Sequence, residues 1–145
     1  MDGQKRVVAI IGSCRRGRTV DTAVEEILAA AADCGAAVTR IYLRDQAIEF
    51  CTNCRACTQR EGIPRGACPH ADDMDGILDE IERTDALVLA SPVNFGTVTA
   101  FMKKFLERLI CYVFWPWGAA APKARNSRND KRAVIVVSSA APALL

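Results

Sequence analysis

The sequence predicts an α/β fold built on a parallel sheet. Three observations point to it. Residues 6–11, 86–90 and 133–137 are short runs of Val, Ile, Leu and Ala, apolar but for Arg6, as strands covered on both faces are. Between them lie segments whose apolar residues recur at helical spacing. The resulting order (strand, helix, strand, helix, strand, helix, strand) is that of crossover units feeding a parallel sheet.

The first strand, Arg6 to Ile11, is stopped by Gly12. A polar loop leads to a helix expected over residues 20–34. Val20, Val24, Ile27, Leu28 and Ala31 share one stripe, Thr19 is the expected N-cap, and Gly35 is the stop. Residues 38–43 read as a second strand, less completely apolar than the first. A long irregular stretch, 44–71, follows, and loops of that length inside a compact domain are usually functional. A helix resumes near residue 73, with Asp72 as candidate N-cap and Met74, Ile77, Leu78 and Ile81 on its buried face. The third strand, 86–90, opens through residues 91–96 into a helix starting near 97. There Val98, Phe101, Met102, Phe105, Leu106, Leu109 and Ile110 face inward, with Lys103, Lys104, Glu107 and Arg108 opposite. An aromatic segment at 112–117 and a basic loop at 123–131 lead to the fourth strand.

At 145 residues the chain is about one domain, expected over 1–145. A chain of this size buries roughly 70% of its unfolded surface and needs no staples. Half of it is hydrophobic and a quarter charged, with a net charge of +2. That balance gives no reason to expect nucleic acid or a membrane surface as partner. No apolar run approaches 18 residues, and the run at 7–11 is too short for a signal peptide. A cytoplasmic setting is the expectation. There, clustered cysteines are more often ligands or redox groups than disulfides, and seven cysteines cannot all pair.

The loop after the first strand, Gly12-Ser-Cys-Arg-Arg-Gly-Arg-Thr19, has the makings of an anion cradle. Backbone N–H groups and a helix N-terminus converge there, and Ser13, Arg15, Arg18 and Thr19 can donate to a phosphate. The segment nearly spells the nucleotide-binding G-x-x-x-x-G-K-[ST]. Arg18 stands in place of the lysine, and arginine is not equivalent there. The third and fourth strands end in Ala90-Ser91 and Val137-Ser138, so neither offers an Asp for Mg²⁺. A G-x-G-x-x-G dinucleotide fingerprint is also missing. Ser91-Pro-Val-Asn-Phe-Gly96 lies at the carboxyl end of the third strand, where open α/β sheets bind ligands, and it could line a flat ring.

These segments, in this order, resemble the NAD(P)H-dependent FMN reductase family of flavodoxin-like fold. They resemble most closely its iron–sulfur flavoprotein branch. The resemblance rests on residues 7–19 before a helix, the cysteine loop ending Cys68-Pro-His-Ala-Asp-Asp-Met74, and residues 91–96 before Phe101-Met-Lys-Lys-Phe-Leu-Glu-Arg108. It implies a flavodoxin-like three-layer sandwich and a homodimer or homotetramer. It also implies an oxidoreductase passing electrons from NAD(P)H through FMN to a small-molecule or protein acceptor. The FMN phosphate would lie on Ser13, Arg15, Arg18 and Thr19, and the ring against Pro92, Val93, Asn94, Phe95 and Gly96, with Ser138 and Ser139 nearby. The chain departs from the pattern at Asn94, where the family often has Tyr, and at Ala140, where Gly is common. The family's last strand and helix have no counterpart after the fourth strand. That leaves apolar surface to be covered by further chain or by a partner subunit.

Cys51, Cys54 and Cys57 form a C-x2-C-x2-C run, and Cys68 precedes a proline. The spacing is like that of bacterial ferredoxins and suits a 4Fe–4S cluster. Zinc is the alternative, although a paired C-x2-C spacing would signal it better, and vacant thiols are another. Cys14, Cys34 and Cys111 read as small packing residues, and His70 as a solvated residue before a helix. The 114–117 patch reads as a subunit interface or a flavin-site wall. Two other functions stay open: a non-enzymatic flavin or iron–sulfur electron carrier, and a zinc-stabilised binding module.

Overall fold

A computed structural model describes residues 3–126 and 130–140. The elements are β1 (Arg6–Ile11), α1 (Thr19–Asp33), β2 (Ala37–Tyr42), α2 (Met74–Arg83), β3 (Ala86–Asn94), β4 (Thr97–Val98), α3 (Ala100–Arg108), β5 (Val113–Phe114), β6 (Lys123–Ala124) and β7 (Arg132–Ser138). Four strands form a parallel sheet in the order β2-β1-β3-β7. Strand order reverses between β1 and β3, the place where doubly wound sheets bind ligands beyond their carboxyl ends.

β1 shows why the run 7–11 is apolar throughout. Successive side chains of a strand point to opposite faces. Val8 and Ile10 pack under α2 and α3 with Met74, Ile77, Leu78, Met102 and Phe105. Ala9 and Ile11 pack against Val20, Val24 and Leu28 of α1. The three layers expected of a flavodoxin-like fold are therefore present. β7 is different. Ile135 and Val137 are 72% and 56% exposed, so its apolar side chains lie uncovered along an edge strand. Among the described residues no helix is long and apolar enough to cross a membrane.

Several boundaries differ from those expected. α1 begins at Thr19, so its N-cap is Arg18, with no capping hydrogen bond from the side chain. β3 does not stop at residue 90 but continues to Asn94 and turns back through Phe95 and Gly96 into β4. Both turn residues have positive φ, 50° and 78°, as a two-residue hairpin turn that follows strand twist requires. A phenylalanine is an unusual occupant of that conformation, so the turn is hidden in the sequence. The α3 helix therefore starts later, capped by Thr99, and tightens into a 3₁₀ turn over Leu109–Tyr112.

Candidate functional site

Two groups of residues meet the description of a site, one at the sheet's carboxyl edge and one in the cysteine loop.

At the sheet edge, the loop after β1 and the end of β3 are joined by short bonds. The Gly12 amide donates to the Ala90 carbonyl at 2.8 Å. Thr99 Oγ1 donates to the Gly12 carbonyl at 2.7 Å and accepts from the Met102 amide at 3.2 Å. The Thr99 amide donates to Ser91 Oγ at 3.2 Å. Gly12 is required, because an added Cβ would lie 2.8 Å from Met102 Cβ and 3.0 Å from Thr99 Oγ1. Thr99 thus holds the 12–19 loop against the 91–96 segment, a role that reading the helix from residue 97 conceals.

The first turn of α1 carries N–H groups without a side-chain cap, a position that favours an anion. Arg15, Arg18 and Thr19 are exposed beside it. Ser13 is buried, and its hydroxyl is engaged by the Arg15 backbone at 3.2 Å on both its donor and acceptor sides. The Gly17 amide is taken by Asp21 Oδ2 at 2.6 Å, and Asp21 is held in turn by the Tyr42 hydroxyl at 2.8 Å. Arg16 lies over the Tyr42 ring and pairs with Asp45, so it is turned from the loop. An uncapped helix start ringed by uncommitted arginines suits a phosphate-type anion.

Of the ring-slot residues, Pro92 and Val93 are half-buried and Asn94 and Gly96 exposed. Phe95, at the hairpin tip, is fully exposed. Ser138 is paired in register with Pro92 across β3 and β7, which brings it to the same edge. Ser139 and Ala140 follow and are exposed. Residues 141–145 lie outside the described residues.

The cysteine loop wraps a small cavity of about 20 Å³ lined by Cys51, Cys54, Cys57 and Cys68, with His70 and Arg108. Asn53 and Arg55 have positive φ, 54° and 57°, which coils the chain so that the interleaved cysteines face one space. Gly66 crosses the back of Cys57, where an added Cβ would be 1.6 Å from the Cys57 carbonyl oxygen. Its amide donates to the Cys111 carbonyl at 2.9 Å. Burial raises the Cys57 pKa, and the other three thiols of the set raise it further. Cys54 is lowered by hydrogen bonding to the Ala56 amide and to Thr52. Among the described residues no three His, Cys, Asp or Glu side chains gather tightly enough to grip a single ion. A 4Fe–4S cubane asks for less, since each thiolate binds a separate iron.

Several expectations are corrected here. Arg108, assigned to the polar face of its helix, is buried at 4% exposure. It forms a bidentate pair with Asp72 at 2.6 and 3.1 Å and donates to the Glu49 carbonyl at 2.8 Å. Asp72 also accepts from the Glu49 and Met74 amides, while Asp73 takes the N-cap position. Burial alone would raise the Asp72 pKa, but Arg108 and the two amides pull it below the usual carboxylate range. His70 is not solvated at both ends, because its Nε2 is buried with no partner. Cys111 is buried, and burial followed by the charge of Cys57 pushes its thiol up to about 12. Cys14 and Cys34 are exposed rather than packed. The aromatic patch grips the loop: Arg55 lies 4.1 Å from the Trp115 ring centre and 4.4 Å from that of Trp117.

The comparisons with known proteins bear on the family and the fold. The sequence model of a family described as NADPH-dependent FMN reductase matches residues 5–143. An iron–sulfur flavoprotein of Archaeoglobus fulgidus is 33% identical over 107 residues, 74% of this chain and 46% of its own length. One of Methanocaldococcus jannaschii is 35% identical over 103 residues, 71% of this chain and 51% of its own. This chain therefore spans about half the length of the curated relatives it matches. Among solved structures, an NAD(P)H:quinone oxidoreductase from Methanothermobacter marburgensis superimposes with a TM-score of 0.68 at 19% identity, covering 97% of this chain and 69% of that one. That likeness concerns the fold. The order of the strands, the joined loops at their carboxyl edge and the match over 5–143 place the chain in the NADPH-dependent FMN reductase family.

Proposed function

We propose that this chain holds FMN in an oxidoreductase that passes electrons from NAD(P)H through the flavin to a small-molecule or protein acceptor. Cys51, Cys54, Cys57 and Cys68 would hold a 4Fe–4S cluster. Residues 1–145 form one flavin-binding domain in this reading. The observation that carries it is the Gly12–Thr99–Ser91 junction, which fixes a phosphate-type loop against the end of β3 at the strand-order reversal. When bound, FMN supplies hydride acceptance and the cluster supplies single-electron relay.

The protein's part is to bind and to orient. The α1 N-terminus with Arg15 and Arg18 takes the phosphate, with Ser13 and Thr19 beside them. Pro92 through Gly96, with Ser138 and Ser139, border the ring. Arg108 and Asp72 brace the cysteine loop, and Arg55 clasps it to the tryptophans.

The test is anaerobic purification of the full chain followed by FMN titration and addition of NADH or NADPH. Uptake of FMN with bleaching of the flavin band supports the reading. Iron and acid-labile sulfide in equal amount support the cluster. FMN that neither nicotinamide reduces would leave an electron carrier, and zinc without iron or flavin would leave a structural module.

A further inference from the structure

The wall of the cysteine cavity carries more than the four thiols of the C-x2-C-x2-C…C set. Arg108 places a guanidinium there that is nearly sealed from solvent and locked by Asp72. Cys51 and Cys68 line the same cavity. Cys111 adds a fifth, buried thiol. His70 presents a buried, unpartnered Nε2. Leaving such a nitrogen unpaired is unfavourable, and an occupant able to accept a hydrogen bond would remove that penalty.

These features restrict what the cavity takes. Soft thiolates select iron–sulfur clusters, zinc or copper(I). The guanidinium is already matched by Asp72, so it stiffens the wall without selecting the occupant's charge. A buried ring nitrogen of the lining that lacks a partner favours an occupant with hydrogen-bonding atoms of its own. A four-thiolate 4Fe–4S unit meets both conditions, because its sulfurs accept hydrogen bonds and such bonds tune its potential. A single divalent ion brings no acceptor, and no three ligands among the described residues close upon one.

We propose that His70 is the hydrogen-bond donor of the cysteine pocket, its Nε2–H directed to cluster sulfur and the pocket wall held in place by the Arg108–Asp72 pair, and so raises the cluster's reduction potential. This rests on the cluster reading above. His70 acts here as a positioning and tuning residue, and no change in its charge is needed. His70→Gln keeps an N–H donor, and His70→Leu removes it.

The experiment is anaerobic reconstitution of wild type and both variants with iron and sulfide. Iron content, circular dichroism and a dye-mediated redox titration are then read. The expected result is equal folding in all three and a lower potential in His70→Leu. The reduction equilibrium should move about tenfold, which is about 59 mV for one electron, with most of it restored in His70→Gln. Iron retained by Gln but lost by Leu would also support the donor role. Equal potentials in three loaded proteins would overturn it while leaving the cluster intact. Iron lost from both folded variants would overturn it in favour of direct ligation by His70. A wild-type protein that takes up no iron would sink the cluster reading itself, and the proposal with it.

Discussion

The sheet-edge site and the cysteine pocket stand at opposite ends of α3, and they are built on opposite principles. Thr99, at one end, holds two backbone loops together and leaves N–H groups and arginines facing solvent. Arg108, at the other, is sealed and charge-paired. The rise of nine helical residues sets them about 13 Å apart along the axis. The first arrangement suits a ligand that enters from water and leaves a part exposed. The second suits a group that is installed and stays. A single helix thus fixes both, and the two can be damaged separately.

The largest effect is expected at Arg108. Arg108→Met leaves Asp72 ionised and unpaired in the interior, which costs about 3–5 kcal/mol. Urea unfolding would measure it, and a loss below 1 kcal/mol would show that Asp72 finds water or another partner.

Two glycines separate the sites more sharply. Gly66→Ala pushes a methyl into the Cys57 carbonyl and should abolish iron uptake while FMN still binds. Gly12→Ala presses on Met102 and Thr99. It should cost about 1–3 kcal/mol and weaken FMN binding with iron uptake kept. If either change damages both functions alike, the sites are one cooperative unit.

The smallest effect is that of acid. The folded Asp72 carboxyl titrates below its unfolded value, so the pair's contribution is complete above about pH 4. It is lost as pH falls through the depressed folded value. Wild type should therefore lose stability below about pH 4 more steeply than Asp72→Asn, as unfolding midpoints across that range would register.

The sequence reveals these two sites unequally. The alternate burial of Val8 and Ile10 against Ala9 and Ile11 follows from periodicity, and with it the sheet and its ligand-binding edge. The hairpin at 94–97 is concealed because Phe95 occupies a turn position where Asn or Gly would have announced it. Thr99 carries a legible N-cap signal, but only once the helix is known to start at Ala100. Arg108 could not be read locally. It falls on the polar side by helical spacing, and its partner Asp72 lies 36 positions away. His70 and Cys111 acquire meaning only when Gly66 folds the loop back over Cys57. Local periodicity shows elements, whereas long-range charge pairing shows which polar residues those elements bury.

The central claim is that the 12–19 loop binds the phosphate of FMN. Calorimetric titration of the wild-type chain with FMN and with riboflavin, repeated for Arg15→Ala with Arg18→Ala, tests it most directly. We expect FMN to bind at least about tenfold more tightly than riboflavin, as a charge-assisted hydrogen bond is worth about 1.5–3 kcal/mol. That preference should vanish in the double variant while riboflavin affinity holds. Equal affinity of wild type for the two flavins, or an FMN preference that survives loss of both arginines, would contradict the assignment.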